Sequence, residues 1–223
     1  KDYKHRLNVY SSIQNIGRES YYGAGRDTNA YGKTKDFTVV GGAQYSYDFD
    51  NFLFMPSSLT AGVEYSYNKL NELMLGYHRE INQEVFVYSA YLQNEWKTGR
   101  FSFLLGGRLD KNSEIDDPIF SPRLNIRYNP IPDLSLRASY SEGFRAPQTY
   151  DEDLHVAAVG GEVTLIQVAK DLKTERSRSY SASVDYYTTW GPVQINLLLE
   201  GFYTSLHNPF VLEEIESDDE NKI

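Results

Sequence analysis

The chain has 223 residues, with 22 basic and 31 acidic side chains, a formal net charge of −9 and no cysteine. The acidic balance excludes a broad nucleic-acid surface, which needs a basic stripe, and zero Cys excludes disulfides, thiolate zinc sites and a cysteine nucleophile. No apolar run reaches the roughly 18 residues of a transmembrane helix, yet there are 19 Tyr and 11 Phe, more than a soluble core of this size needs.

Alternation of apolar and polar residues runs through nearly the whole chain. It predicts about nine strands, at 5–17, 33–49, 57–70, 83–97, 99–112, 118–129, 133–147, 174–189 and 191–207. In the sixth, Leu124, Ile126 and Tyr128 alternate with Arg123, Asn125 and Arg127. In the seventh, Leu134, Leu136, Ala138 and Tyr140 alternate with Ser135, Arg137, Ser139 and Ser141. The eighth sets Tyr180, Ala182, Val184 and Tyr186 against Ser179, Ser181, Ser183 and Asp185. Such alternation presses one face against something apolar and the other against something polar. Many of these strands span 11 to 17 residues. Soluble strands average about 5–6 residues, whereas a tilted strand crossing a bilayer needs about 9–11.

Connections alternate in length. Lys97–Arg100, Asn129–Asp133 and Thr189–Pro192 are tight turns rich in Gly, Pro and Asn, and Asp50–Ser57 is a slightly longer link in the same series. Between them lie longer connections at 18–32, 71–82, 113–117 and 148–173. That rhythm suits an antiparallel barrel with turns on one side and loops on the other. The polar face is mostly Ser, Thr, Asn, Gln and Gly with charges of both signs, as a hydrated lumen needs. Its expected members include Gln44, Ser46, Glu64, Ser66, Gln93, Glu95, Arg108, Asp110, Arg123, Arg127 and Arg137. The apolar face carries Tyr45, Tyr47, Tyr65, Tyr67, Trp96, Tyr128 and Tyr186 near strand ends, where aromatic rings with polar tips favour a membrane boundary.

Three stretches carry a resemblance. Phe120–Asn125 reads FSPRLN, Ser139–Pro147 reads SYSEGFRAP, and Leu172–Ser177 reads LKTERS. In this order and spacing they resemble strand openings and endings of TonB-dependent outer-membrane receptors, with Thr174 where Pro is common. The flavour is that of Bacteroidetes-type receptors of the siderophore and cobalamin kind. The resemblance implies an all-β fold, here nine to ten long strands of an antiparallel transmembrane β-barrel that in full has about 22 strands. It also implies a Gram-negative outer-membrane location, an N-terminal plug inside the barrel, and a TonB complex that reaches the plug. Residues 1–223 are then expected to be the middle of the barrel domain, with the plug and TonB box outside this chain. Glu64, Glu95, Arg108, Asp110, Arg123, Arg127 and Arg137 become candidates for facing the plug, against the plainer reading of solvated lumen residues.

Ligand-binding candidates sit on the expected loops. Tyr21, Tyr22, Arg26 and Tyr31 offer aromatic faces and a guanidinium to an organic ligand. Tyr77, His78 and Arg79 follow on the next long loop, and Gln148, Tyr150 and His155 on the loop after Pro147. Asp151, Glu152 and Asp153 offer oxygen ligands to a hard cation, but consecutive residues rarely face one ion, and a solvated acidic loop explains them as well. The tail from Glu213 to Asn221 reads as a charged loop. The four His lie far apart without metal spacing, and no G-x-S-x-G elbow occurs. No catalytic residue, resident metal or cofactor is therefore assigned.

The resulting expectation is an energy-coupled receptor importing a scarce nutrient, such as a metal chelate, a haem-like molecule or a cobalamin-type compound. A passive channel or adhesin barrel is the first alternative, and a soluble carbohydrate-binding β-sandwich or propeller the second. A barrel enzyme is a distant third.

Overall fold

The computed structural model describes residues 4–21, 31–77, 79–149, 157–159, 162–164, 168–169, 171–211 and 213. In chain order the strands are β1 (His5–Tyr21), β2 (Tyr31–Phe52), β3 (Met55–Met74), β4 (Arg79–Lys97), β5 (Phe101–Asn112), β6 (Ile119–Ile131) and β7 (Leu134–Arg145). After them come β8 (Ala157–Val159), β9 (Glu162–Thr164), β10 (Glu175–Trp190) and β11 (Val193–His207). A 3-10 turn at Leu75–Tyr77 closes the β3–β4 hairpin.

Nine strands form one sheet in the order β1-β2-β3-β4-β5-β6-β7-β10-β11, every neighbour antiparallel. The expectation of nine long strands in a simple meander holds. The short pair β8–β9 lies within the long 148–173 connection, where no strand was expected. On the loop side the strands also outrun their expected ends. β1 continues to Tyr21, β2 begins at Tyr31, β3 reaches Met74 and β4 begins at Arg79.

Register fixes which side chains share a face. Gln44 pairs with Gly62, Glu64 with Ser89, Ser89 with Asp110, Arg108 with Ser121, Asn125 with Ser139 and Ser181 with Phe202. Because side chains alternate strictly along a strand, this chain of partners defines one polar inner face. The opposite face carries Leu7, Val9, Val63, Leu92, Leu105, Leu109, Val184, Leu197 and Leu199, all exposed. An apolar face of that extent stays out of water only against lipid or protein.

Aromatic rings border this outer face at both ends. On the turn side Trp96 stacks between Phe52 and Phe54 at centroid distances of 6.4 and 5.6 Å, and its Nε1 donates to the Phe52 carbonyl at 2.9 Å. On the loop side Tyr65 meets Tyr88, Tyr140 meets Tyr180, and Tyr180 meets Tyr203. Charge on the outer face is one-sided. Lys33, Lys35, Lys69, Glu80, Glu84, Lys111, Glu142, Arg176 and Arg178 all lie loopward of the apolar band. Turnward of it the outer positions of β2 to β11 are aromatic, aliphatic or neutral polar. The loopward strand ends therefore stand in a polar medium, and the turns sit close to the apolar boundary.

The β10–β11 connection is a two-residue loop, Gly191–Pro192, with Gly191 at φ 58°. A positive φ at the first loop position matches the right-handed twist of the flanking strands, and Gly takes it without steric cost.

Candidate lumen wall and loop face

The inner wall holds a connected polar cluster on β1, β3, β4 and β5. Arg108 donates from Nη2 to Glu64 Oε1 at 2.8 Å and to Ser89 Oγ at 2.7 Å, and from Nε to Asp110 Oδ1 at 2.8 Å. Ser89 Oγ in turn donates to Asp110 Oδ1 at 2.5 Å, and the Tyr10 hydroxyl donates to Glu64 Oε2 at 2.6 Å. Asp110 is buried, with a side chain 5% exposed, so the charge-assisted bond from Arg108 and the bond from Ser89 offset its desolvation.

Two inner glycines make room for rings. Tyr10 lies across Gly42 and Tyr91 across Gly62, where a Cβ would stand 2.6 and 2.3 Å from the respective tyrosine oxygens. Laid flat in this way, Tyr91 reaches over to donate to Gln44 Oε1 at 2.9 Å. Alternation alone assigns Tyr10 and Tyr91 to the inner face. The small residues opposite them, Gly42 and Gly62, are the signal that each ring lies flat against the wall.

The remaining lumen candidates are less tied. Glu95 accepts from Ser102 at 2.6 Å. Arg123 Nε lies 3.2 Å from the Asn125 side-chain oxygen once that amide is turned to satisfy its neighbours. Arg137 stands 3.6 Å from Asp185, which also accepts from Asn196 Nδ2 at 2.7 Å. All seven candidates for facing a plug thus occupy the inner face, and Arg108, Glu64 and Asp110 form one group.

Of the ligand candidates, Tyr21, Tyr31, Arg79 and Gln148 are described with their side chains. Tyr21 and Tyr31 are registered strand partners with rings 4.7 Å apart on the outer face, so they are strand residues rather than loop residues. Arg79 also belongs to a strand. Its guanidinium is buried and Nε sits 3.0 Å from Glu72 Oε2, with side-chain exposures of 2% and 0%. Gln148 is half-buried and its N–H donates to the Ala146 carbonyl at 2.9 Å. Tyr22, Arg26, His78, Tyr150, Asp151, Glu152, Asp153, His155 and the tail beyond 213 lie outside the described residues, as does the Tyr77 side chain.

Next to Gln148 the structure shows a contact that sequence reading missed. The Gln83 amide grips Thr149 twice: the Thr149 N–H donates to Oε1 at 2.8 Å and Nε2 donates to the Thr149 carbonyl at 3.0 Å. β5 and β6 lie between these partners in the sheet, so the chain after β7 leans inward across the mouth. At this loopward level Leu70, Met74, Val85, Ile119 and Ala146 are buried.

The profile of the family described as TonB dependent receptor-like, beta-barrel, matches residues 1–219. Over 124 residues, 55% of this chain and 18% of the relative, the sequence is 31% identical to an iron-regulated outer membrane virulence protein of Vibrio cholerae. Among solved structures, the siderophore receptor PirA from Pseudomonas aeruginosa superposes with a TM-score of 0.60 at 12% identity. That match covers 92% of this chain and 40% of the receptor. The FrpB iron transporter from Neisseria meningitidis gives a TM-score of 0.60 at 16% identity, over 90% of this chain and 33% of the transporter. At such identities the structures speak for the fold, and the chain spans well under half of each relative's length. The nine-stranded sheet is thus a segment of a larger β-barrel in a Gram-negative outer membrane, with its apolar face toward lipid and its charged face toward the lumen. This chain belongs to the TonB-dependent receptor β-barrel family.

Proposed function

We propose that the full-length protein is an active-transport receptor that captures a scarce nutrient at the loop face and passes it through the barrel. The family match over residues 1–219 carries this reading. The cargo class is a metal chelate of the siderophore type, with haem-like or cobalamin-like molecules as the alternatives. The iron-regulated name of the Vibrio cholerae relative supports the first of these. A plug domain of the same chain closes the lumen, and the TonB complex supplies the energy that rearranges it. On this reading the barrel contributes binding and gating, and catalyses no covalent step.

The wall chemistry is compatible with that work. Tyr10, Glu64, Ser89, Arg108 and Asp110 satisfy one another within the wall, so contents can slide past without leaving buried charges bare. The test is uptake by cells carrying the full-length gene under iron limitation. A panel of labelled ferric siderophores, haem and cobalamin is offered with and without a functional TonB complex. Saturable uptake of one cargo that stops when TonB is removed is the expected result. Uptake that is unsaturable and indifferent to TonB would assign the protein to passive channels instead.

A further inference from the structure

We propose that the tip of the β2–β3 hairpin, Leu53 and Phe54, is a lipid anchor that inserts into the bilayer leaflet on the turn side. An anchor of this kind needs only the membrane location of the sheet, and it holds whatever the barrel transports.

β2 ends at Phe52 and β3 begins at Met55, so Leu53 and Phe54 make a two-residue loop. Leu53 stands at φ 67°, in the left-handed region, and the Phe54 N–H donates across it to the Phe52 carbonyl at 3.0 Å. In the β10–β11 hairpin the same first loop position is held by Gly191 at φ 58°, where Gly takes the conformation freely. A leucine there presses its Cβ toward the following carbonyl oxygen, a steric cost that Gly avoids. Leu53 is also 75% exposed and Phe54 60%. In water this tip would be unfavourable twice over, in backbone strain and in bare apolar surface, and Gly or Asn would relieve both. An apolar medium around the tip removes the second cost and offsets the first.

Continuity with the lipid-facing surface chooses lipid over a protein partner. Phe54 stacks on Trp96 at 5.6 Å, Phe52 on Trp96 at 6.4 Å and on Phe49 at 5.0 Å, and Trp96 meets Phe103 at 5.5 Å. This aromatic layer belongs to the outer face, and Phe54 carries it on to the tip. The β2–β3 register shifts between Phe49 and Phe52, and such an irregularity bends a hairpin. The bond from Trp96 Nε1 to the Phe52 carbonyl then holds the bent tip beside the outer row. Charge is kept away from it. Residues 51–63 contain no ionisable side chain, and Asp48 and Asp50 are paired with Arg6 and Lys4. The β4–β5 turn on the same side is the contrast, because Lys97 and Arg100 flank Thr98 and Gly99 and cations are costly to bring into lipid.

The test uses the full-length protein, free of other reactive cysteines, folded into phosphatidylcholine vesicles. Leu53→Cys or Gly99→Cys carries a nitrobenzoxadiazole fluorophore. Gly99 is exposed, with nothing within 4 Å of an added carbon, so it reports a turn in water. Position 53 is expected to emit at shorter wavelength, to be quenched by lipid brominated high on the acyl chain and to resist aqueous iodide, and position 99 to show the reverse. Iodide quenching at 53 equal to that at 99 would place the tip in water and overturn the anchor. Protection from iodide without quenching by brominated lipid would give the tip to a protein neighbour and overturn it as well. Leu53→Asn is read by its sign, without a label. Asn accepts the left-handed conformation, so a tip in water would gain about fivefold in the folding equilibrium. Loss of lipid contact outweighs that gain, and the variant in vesicles should fold roughly 2- to 30-fold less favourably. A net gain would sink the proposal.

Discussion

Leu92→Arg is the sharpest test of which face meets lipid. Leu92 is 55% exposed on the outer face of β4, four residues from Tyr88 on the loop side and four from Trp96 on the turn side. Four residues at about 3.3 Å each, on a strand tilted by about 40°, put it about 10 Å from each aromatic row, close to the bilayer midplane. An arginine at that depth costs about 2–4 kcal/mol on the lipid face of a barrel, roughly a 30- to 900-fold loss in the folding equilibrium. Gln93, the next residue, points to the polar inner face. Gln93→Arg is therefore expected to cost under about 1 kcal/mol, as a substitution into a polar, hydrated setting. The measurement is denaturant titration of the full-length receptor folded into phosphatidylcholine vesicles, followed by tryptophan fluorescence. Equal costs for the two variants, or a Leu92→Arg protein within 1 kcal/mol of wild type, would refute the assignment of faces.

Arg108→Met strips Asp110 and Glu64 of their shared cation. With Arg108 itself 39% exposed, the usual penalty for breaking a buried pair falls to about 2–3 kcal/mol in the same titration. Adding Asp110→Asn and Glu64→Gln should restore most of it, and no recovery would show that the loss was packing. Gly62→Val drives a side chain into the Tyr91 ring and breaks the Tyr91–Gln44 bond, at about 1–3 kcal/mol. Gly99→Ala, with nothing within 4 Å of the added carbon, stays within about 0.5 kcal/mol. Gln83→Ala removes both bonds to Thr149. At about 0.5–1.5 kcal/mol each, hydrogen exchange at the Thr149 amide should speed up roughly 5- to 150-fold, whereas an unchanged rate would mean that other contacts hold the loop base.

The strands were legible because one face needs apolar residues at every second position, and that contrast survives without an alignment. Legibility failed where the contrast disappears. Beyond the loop-side aromatic row, β2 has Lys33 and Lys35 on its outer face and β3 has Lys69 and Asn71. Polar residues then stand on the outer face and Leu70 and Met74 on the inner one, so the alternation is lost while backbone pairing continues, and β1 to Tyr21, β3 to Met74 and β4 from Arg79 read as loop. The turn-side ends, set by Gly, Pro and Asn, were placed within a few residues. The same blindness moved Tyr21, Tyr31 and Arg79 from strands to loops among the site candidates. Gln83–Thr149 was out of reach for a different reason: its partners are 66 residues apart, and no local period records a contact across two intervening strands.

The inner-wall charges split by how far the wall satisfies them, and the split bears on gating. Glu64, Arg108 and Asp110 close on one another, and Glu95 closes on Ser102. Removing whatever faces these residues exposes no orphaned charge, so they offer a mobile occupant little grip. Arg127 and Arg137 oppose each other, and Asp185 stands 3.6 Å from Arg137 alone, so this part of the wall leaves positive charge that an acid facing it would balance. On the proposed transport reading the lumen holds its contents and later releases them, and the first kind of surface keeps sliding cheap while the second sets the threshold. On that reading, strength concentrated at a few turnward points yields to a pull from the turn side, whereas strength spread along the wall would resist it everywhere. The ratio of leak conductance in Arg127→Gln and Arg137→Gln variants to leak in the Arg108→Met variant measures that concentration directly. The larger effect should come from the turnward pair, although Arg108 makes the greater number of bonds.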